Sequence, residues 1–207
     1  MMITLPDAKA LIAPAERDLV GCHQTAVKRW TDFLTQMPDL SGPLTSTTRA
    51  NFISNHVCSE ILRCFDASDD IQVVDGLGFL MLLFPGAVLL RFKFVGQGAP
   101  SNVATRQQKN LARQSFTAEM LQAVGCSDEL TPPTTLTCGY TLADDQLGRV
   151  EIRRDCKGHK PWFYDIYGGE TVAEPLPLDG LADDTKPARV ASTSKPKKGN
   201  EAQAQEA

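Results

Sequence analysis

No stretch of this chain approaches the roughly 18 uninterrupted apolar residues that a membrane-crossing helix requires. Its most apolar region, Phe79–Val95, is broken by Pro85-Gly86 and again by Arg91 and Lys93. The N-terminal MMITLPDAKALIAPAERDLVG lacks a basic segment followed by a continuous apolar core, so no secretory signal is expected. The six cysteines (Cys22, Cys58, Cys64, Cys126, Cys138, Cys156) form no CxxC pair. Scattered cysteines without a secretory signal predict free thiols in a reducing cytoplasm, not a disulfide framework.

Chemical motifs are equally sparse. There is no HExxH and no GxSxG, and no cysteine neighbours a histidine in a loop. Gly96-Gln97-Gly98 lacks the third glycine of a dinucleotide fingerprint and runs into Ala99-Pro100 instead of a helix start. His56 and Glu60 stand four apart with Cys64 continuing the row, but no second cluster completes a metal site. On a solvated helix face, Glu60 and Arg63 would form a weak pair instead. His23 and His159 are isolated. Neither a metal nor a cofactor is expected.

What is present suits one domain with appendages. The chain has 207 residues, 42% of them hydrophobic and 22% charged, as in an ordinary globular protein. A formal charge of −4 and a pI near 5.4 argue against non-specific nucleic-acid binding by the whole surface.

Residues 6–37 read as helical, interrupted near Pro14, with Leu19, Val20, Cys22, Ala26, Val27, Trp30, Phe33 and Leu34 forming the apolar stripe. After a loop at PDLSGP (38–43), the hydroxyls of Ser46-Thr47-Thr48 should start a second helix running to about Phe65. Its apolar face carries Ile53, Val57, Ile61 and Cys64, with Asn55, Ser59, Glu60 and Arg63 largely opposite. Strands follow at Ile71–Asp75, Phe79–Phe84 and Val88–Val95, then a helix over Val103–Ala123 with Gly125 as its C′ residue. Thr135–Leu142, Arg149–Arg154 and Trp162–Tyr167 should form an antiparallel meander.

The order α-α-β-β-β-α-β-β-β predicts an α+β fold, a largely antiparallel sheet with helices mainly on one face. Three regions are expected: an N-terminal helical segment (1–44), a core domain (45–177) and a polar disordered tail (178–207). Lys195, Lys197 and Lys198 in that tail supply too little charge for a nucleic-acid patch.

The strand Val88–Val95 offers the one hint of a site. Alternation puts Arg91 and Lys93 on one face and Leu90, Phe92 and Phe94 on the other. Two cations sharing a face need water, an anion or a carboxylate, and Glu60 and Glu151 are the carboxylates on offer. Arg91, Lys93, Asn102, Thr105 and Gln108, near a strand end and a helix start, could together hold an anion or a peptide backbone. Gln107, Gly139-Tyr140 and Trp162 extend that constellation.

The segment order α-β-β-β-α-β from Thr47 to Leu142 resembles the core of the PD-(D/E)xK nucleases. That resemblance implies an acid on the second core strand and an acid-x-Lys on the third, holding a divalent metal. Lys93 falls where the lysine would be. Arg91 occupies the acid's place, and Asp75 is the only acid near the other strand. An arginine repels a cation, so an active enzyme is not expected. A degenerate relative using Arg91, Lys93 and Lys109 to bind nucleic acid is the alternative.

The R-F-K strand, the N-x-x-T-x-x-Q helix entry at Asn102–Gln108, the Gly139-Tyr140 strand and the final aromatic strand also resemble an uncharacterised bacterial and phage family. Its members are often encoded beside zinc-dependent peptidases of the ImmA/IrrE type, and the similarity covers about residues 45–168. The resemblance implies a gene neighbourhood: a toxin–antitoxin, phage-defence or mobile-element operon. A non-enzymatic cytoplasmic protein acting through a protein partner, such as a zinc peptidase of that operon, is therefore expected. Neither nucleic acid nor membrane is the favoured partner.

Overall fold

The computed structural model describes residues 3–42, 44–76, 79–85, 88–96, 99–100, 105–125, 132–154 and 160–168. Its helices are α1 (Leu5–Ile12), α2 (Glu16–Gln36), α3 (Pro38–Ser41), α4 (Ser46–Phe65), α5 (Arg106–Ala112) and α6 (Ala118–Ala123). Its strands are β1 (Gln72–Gly76), β2 (Phe79–Phe84), β3 (Val88–Gly96), β4 (Ala99–Pro100), β5 (Thr134–Ala143), β6 (Gln146–Arg154) and β7 (Trp162–Asp165). The fold is α+β, as the sequence predicts.

A 3-10 turn at Ala13–Ala15 separates α1 from α2, which places the predicted interruption at Pro14. On α2, Leu19, Cys22, His23, Ala26, Val27 and Trp30 are buried, a spacing of three and four that makes one continuous stripe. Thr45 caps α4, its hydroxyl accepting from the Thr48 backbone N–H at 3.1 Å, so the cap lies one residue before the predicted cluster. The predicted loop at 38–43 contains the single turn α3.

The sheet order is β1-β2-β3-β5-β6-β7, with β4 pairing onto β3. Every pair along it is antiparallel except β3 and β5, which run parallel. A parallel pair needs a crossover, and α5 and α6 supply it. The predicted helix over 103–123 is thus two short helices. Gln114 breaks them apart, at φ 55, and Thr117 caps the second through the Met120 N–H. The Gln114 side chain grips the start of β5, its Oε1 accepting from Thr135 N at 2.6 Å and its Nε2 donating to Thr135 O at 2.8 Å.

Helices therefore stand on both faces, with α1, α2 and α4 on one, where the sequence expects most of them, and the short α5 and α6 on the other. On one face α1, α2 and α4 pack on Leu80, Leu82, Leu90, Leu136, Cys138, Val150 and Ile152, with α2 over β6 and α4 over β3. On the other, Leu111, Met120 and Val124 pack on Val74, Met81 and Leu89 of β1–β3. Each such buried aliphatic side chain contributes about 1.5–3 kcal/mol.

The N-terminal helices share the core of the sheet, and Met1–Leu176 forms one compact unit. The second unit, Pro177–Ala207, and with it the expected tail, lies outside the described residues.

Candidate binding site

Beyond the apolar patch under α5 and α6, the second sheet face changes character. One cross-strand row runs Met81, Arg91, Thr137, Arg153, Phe163, and the next runs Lys93, Gly139, Glu151, Asp165. The two-residue period of β3, β5 and β6 builds these rows, since each strand shows the helices its apolar residues and presents its polar ones here.

Glu151 is the centre of this face. It is 1% exposed, accepts from Arg153 Nη1 at 2.7 Å, and has Arg149 Nε at 3.0 Å, off the hydrogen-bond line. Arg149 also lies over the Phe163 ring, 5.3 Å from its centroid. Arg91 is buried, and its Nε donates to Thr137 Oγ1 at 3.0 Å. Gly139 is required here, because a Cβ would run into Val95 Cγ2.

Lys93 is half-buried and has no carboxylate partner among the described residues. Burial, and then the neighbouring Arg91 guanidinium, push its ammonium below the ordinary lysine value. Four cations (Arg91, Lys93, Arg149, Arg153) thus share the face with two carboxylates, Glu151 and Asp165.

The predicted constellation divides across this geometry. Arg91, Lys93 and Gly139 stand together. Tyr140 lies on the opposite face, its ring 5.5 Å from His23 and 5.4 Å from Phe94. Trp162 also belongs to that helix-covered side. Thr105 sits exposed immediately before α5, and Gln108 is within α5. Asn102 lies outside the described residues. Arg149 and Arg153 were not picked out from the sequence, although R-V-E-I-R spaces Arg149, Glu151 and Arg153 two apart, which puts all three on one strand face.

Glu60 does not serve this site. It is buried between α2 and α4, with Arg29 Nη2 at 2.6 Å and Arg63 Nη2 at 2.8 Å, so its placement on the solvated side of α4 is corrected. Arg29 Nη1 also donates to His56 Nδ1 at 3.1 Å. Burial, then Arg29, lower the His56 pKa against a smaller opposing pull from Glu60. Among the described residues no group of His, Cys, Asp and Glu gathers to hold a metal ion.

The nuclease arrangement is broken in space as well as in sequence. Asp75 pairs in register with Leu80, whose side chain packs under the helices, while Lys93 points from the other face. No helix among the described residues is long and apolar enough to cross a membrane. Neither a family model, nor a curated protein, nor a solved structure matches the chain.

Proposed function

We propose that this is a non-enzymatic cytoplasmic protein that takes an acidic segment of a protein partner on the Lys93–Arg149 rim of the charged sheet face. The observation that carries the reading is Lys93, a half-buried ammonium beside Arg91 with no carboxylate among the described residues. An anion from outside relieves both its desolvation and that repulsion. Arg149, with 37% of its side chain exposed, widens the rim. Glu151 is already committed to two arginines and cannot fill the role. A local excess of cations on a chain of formal charge −4 steers and orients an acidic partner. The gene-neighbourhood resemblance supplies the partner's class, a zinc peptidase of the same operon.

Apart from the two-residue β4 and the division of the helix in two, the order α4-β1-β2-β3-β4-α5-α6-β5 keeps the α-β-β-β-α-β pattern and favours a second reading, a degenerate nuclease core that binds a phosphate backbone on the same cations. Two accessible cations are few for that role, since nucleic-acid binding proteins commonly neutralise about 6–10 phosphates.

Fluorescence anisotropy with a labelled oligoglutamate peptide and a labelled DNA duplex, at low and physiological salt, tests both. Peptide binding that weakens at least tenfold in Lys93→Glu is the expected result. Duplex binding with the same dependence on Lys93 supports the second reading, and binding indifferent to Lys93 contradicts both.

A further inference from the structure

Cys22 of α2 and Cys64 of α4 meet where the two helices pack. Their sulfurs are 3.7 Å apart, with the Cys22 thiol donating to Cys64 Sγ. Cys22 is buried at 2% exposure, whereas Cys64 is exposed. Arg63 Nη2 donates to the Cys64 sulfur at 3.5 Å and is itself anchored on Glu60 at 2.8 Å. One sulfur is therefore accessible with a guanidinium beside it, and the other waits behind it. Burial, and then the adjoining Cys64 sulfur, raise the Cys22 pKa and keep that group a protonated thiol.

We propose that Cys22 and Cys64 are a redox modification site, closing to a reversible disulfide on exposure to hydrogen peroxide. The Cys64 sulfur attacks one peroxide oxygen; an S–O bond forms, the S–H and O–O bonds break, and the departing hydroxide takes up the thiol proton as water. The Cys22 sulfur then displaces the hydroxyl from the Cys64 sulfenic acid. An S–S bond forms, the S–O bond breaks, and the Cys22 proton leaves with the hydroxyl as a second water. Two thiols lose two electrons and one peroxide is reduced to two waters.

The geometry asks for little movement. Closing from 3.7 Å to the ~2.05 Å of a disulfide moves each sulfur by about 0.8 Å, within reach of small side-chain rotations. The bridge would link positions 42 residues apart and fix α2 to α4. Cys138, fully buried in the same core, has no such access to oxidant.

Peptide mapping of the reduced, full-length protein after treatment with equimolar peroxide tests the site, with remaining thiols alkylated before digestion. The expected product is a linked Cys22–Cys64 peptide pair that dithiothreitol releases. In Cys64→Ser, a surface change, that product disappears. In Cys22→Ala, the Cys64 sulfenic acid persists and is trapped by dimedone. Arg63→Ala is expected to slow formation several-fold. Six alkylatable thiols after treatment, a bridge joining a different pair, or Cys64 driven to sulfinic acid with Cys22 still free would each overturn the proposal.

Discussion

The two faces of the central sheet are built by the same strands and closed by different physics. Under α2 and α4 lie Leu82, Leu90, Leu136, Val150 and Ile152, none more than 0% exposed, and burial of apolar surface holds that face together. On the other face of β3, β5 and β6 lie Arg91, Thr137, Glu151 and Arg153, each 5% exposed or less. Nearly equal burial therefore conceals opposite energetics. An apolar face loses stability in proportion to what is removed from it. A buried charged face loses most when one member goes and its partners stay.

The largest expected effect breaks the second face at its centre. Glu151→Ala removes a buried carboxylate that Arg153 donates to and should cost about 3–5 kcal/mol in urea denaturation. Replacing the pair together, Glu151→Leu with Arg153→Met, should recover most of that loss. If the double variant were no better than the single one, pairing would not be what Glu151 provides.

The apolar face has its own weak point in His23. Its Nδ1 donates to Leu19 O at 2.7 Å, and its Nε2 has no hydrogen-bond partner among the described residues. Burial pushes the imidazole down from 6.5 to about 4. The unfolded chain takes up the proton as pH falls through 6.5, while the folded protein resists until about 4. The neutral ring's contribution is thus fully present above the higher value and lost between the two, approaching about 3 kcal/mol. Denaturation at pH 7 and pH 4.5 should show this loss, and His23→Phe should flatten it. An unchanged pH slope in that variant would place the sensitivity elsewhere.

The apolar face was the more legible of the two in sequence. Stripes at three- and four-residue spacing located α2 and α4, and short apolar runs bounded by turn residues, with alternation in the last three segments, located the strands to within a few residues. Glu60 shows the limit of that reading. Its position, three after Val57, lies on the buried stripe, but its charge suggested solvent, and only α2 packing beside it supplies Arg29.

The break at Gln114 had no local signal. A glutamine at positive φ is held there by its bonds to Thr135, a residue distant in sequence. The parallel β3–β5 pairing was hidden for a similar reason, because short turns announce hairpins and a long helical connection announces nothing about the register it serves. The charged rows exist only once β5 lies between β3 and β6. Arg91 and Lys93 were visible as a pair and Glu151 as a carboxylate on offer to them, but Arg149 and Arg153, which hold Glu151, came unannounced from the other hairpin.

On the proposed function, Lys93 is held for a partner and contributes nothing to closing the fold. The thermal melt of Lys93→Met tests it most directly, since methionine keeps the apolar stem and removes the charge that Arg91 opposes. The melting midpoint should stay level or rise by a degree or two while oligoglutamate binding is lost. A midpoint lower by more than a few degrees would contradict the account, because it would make Lys93 a working member of a closed ion network.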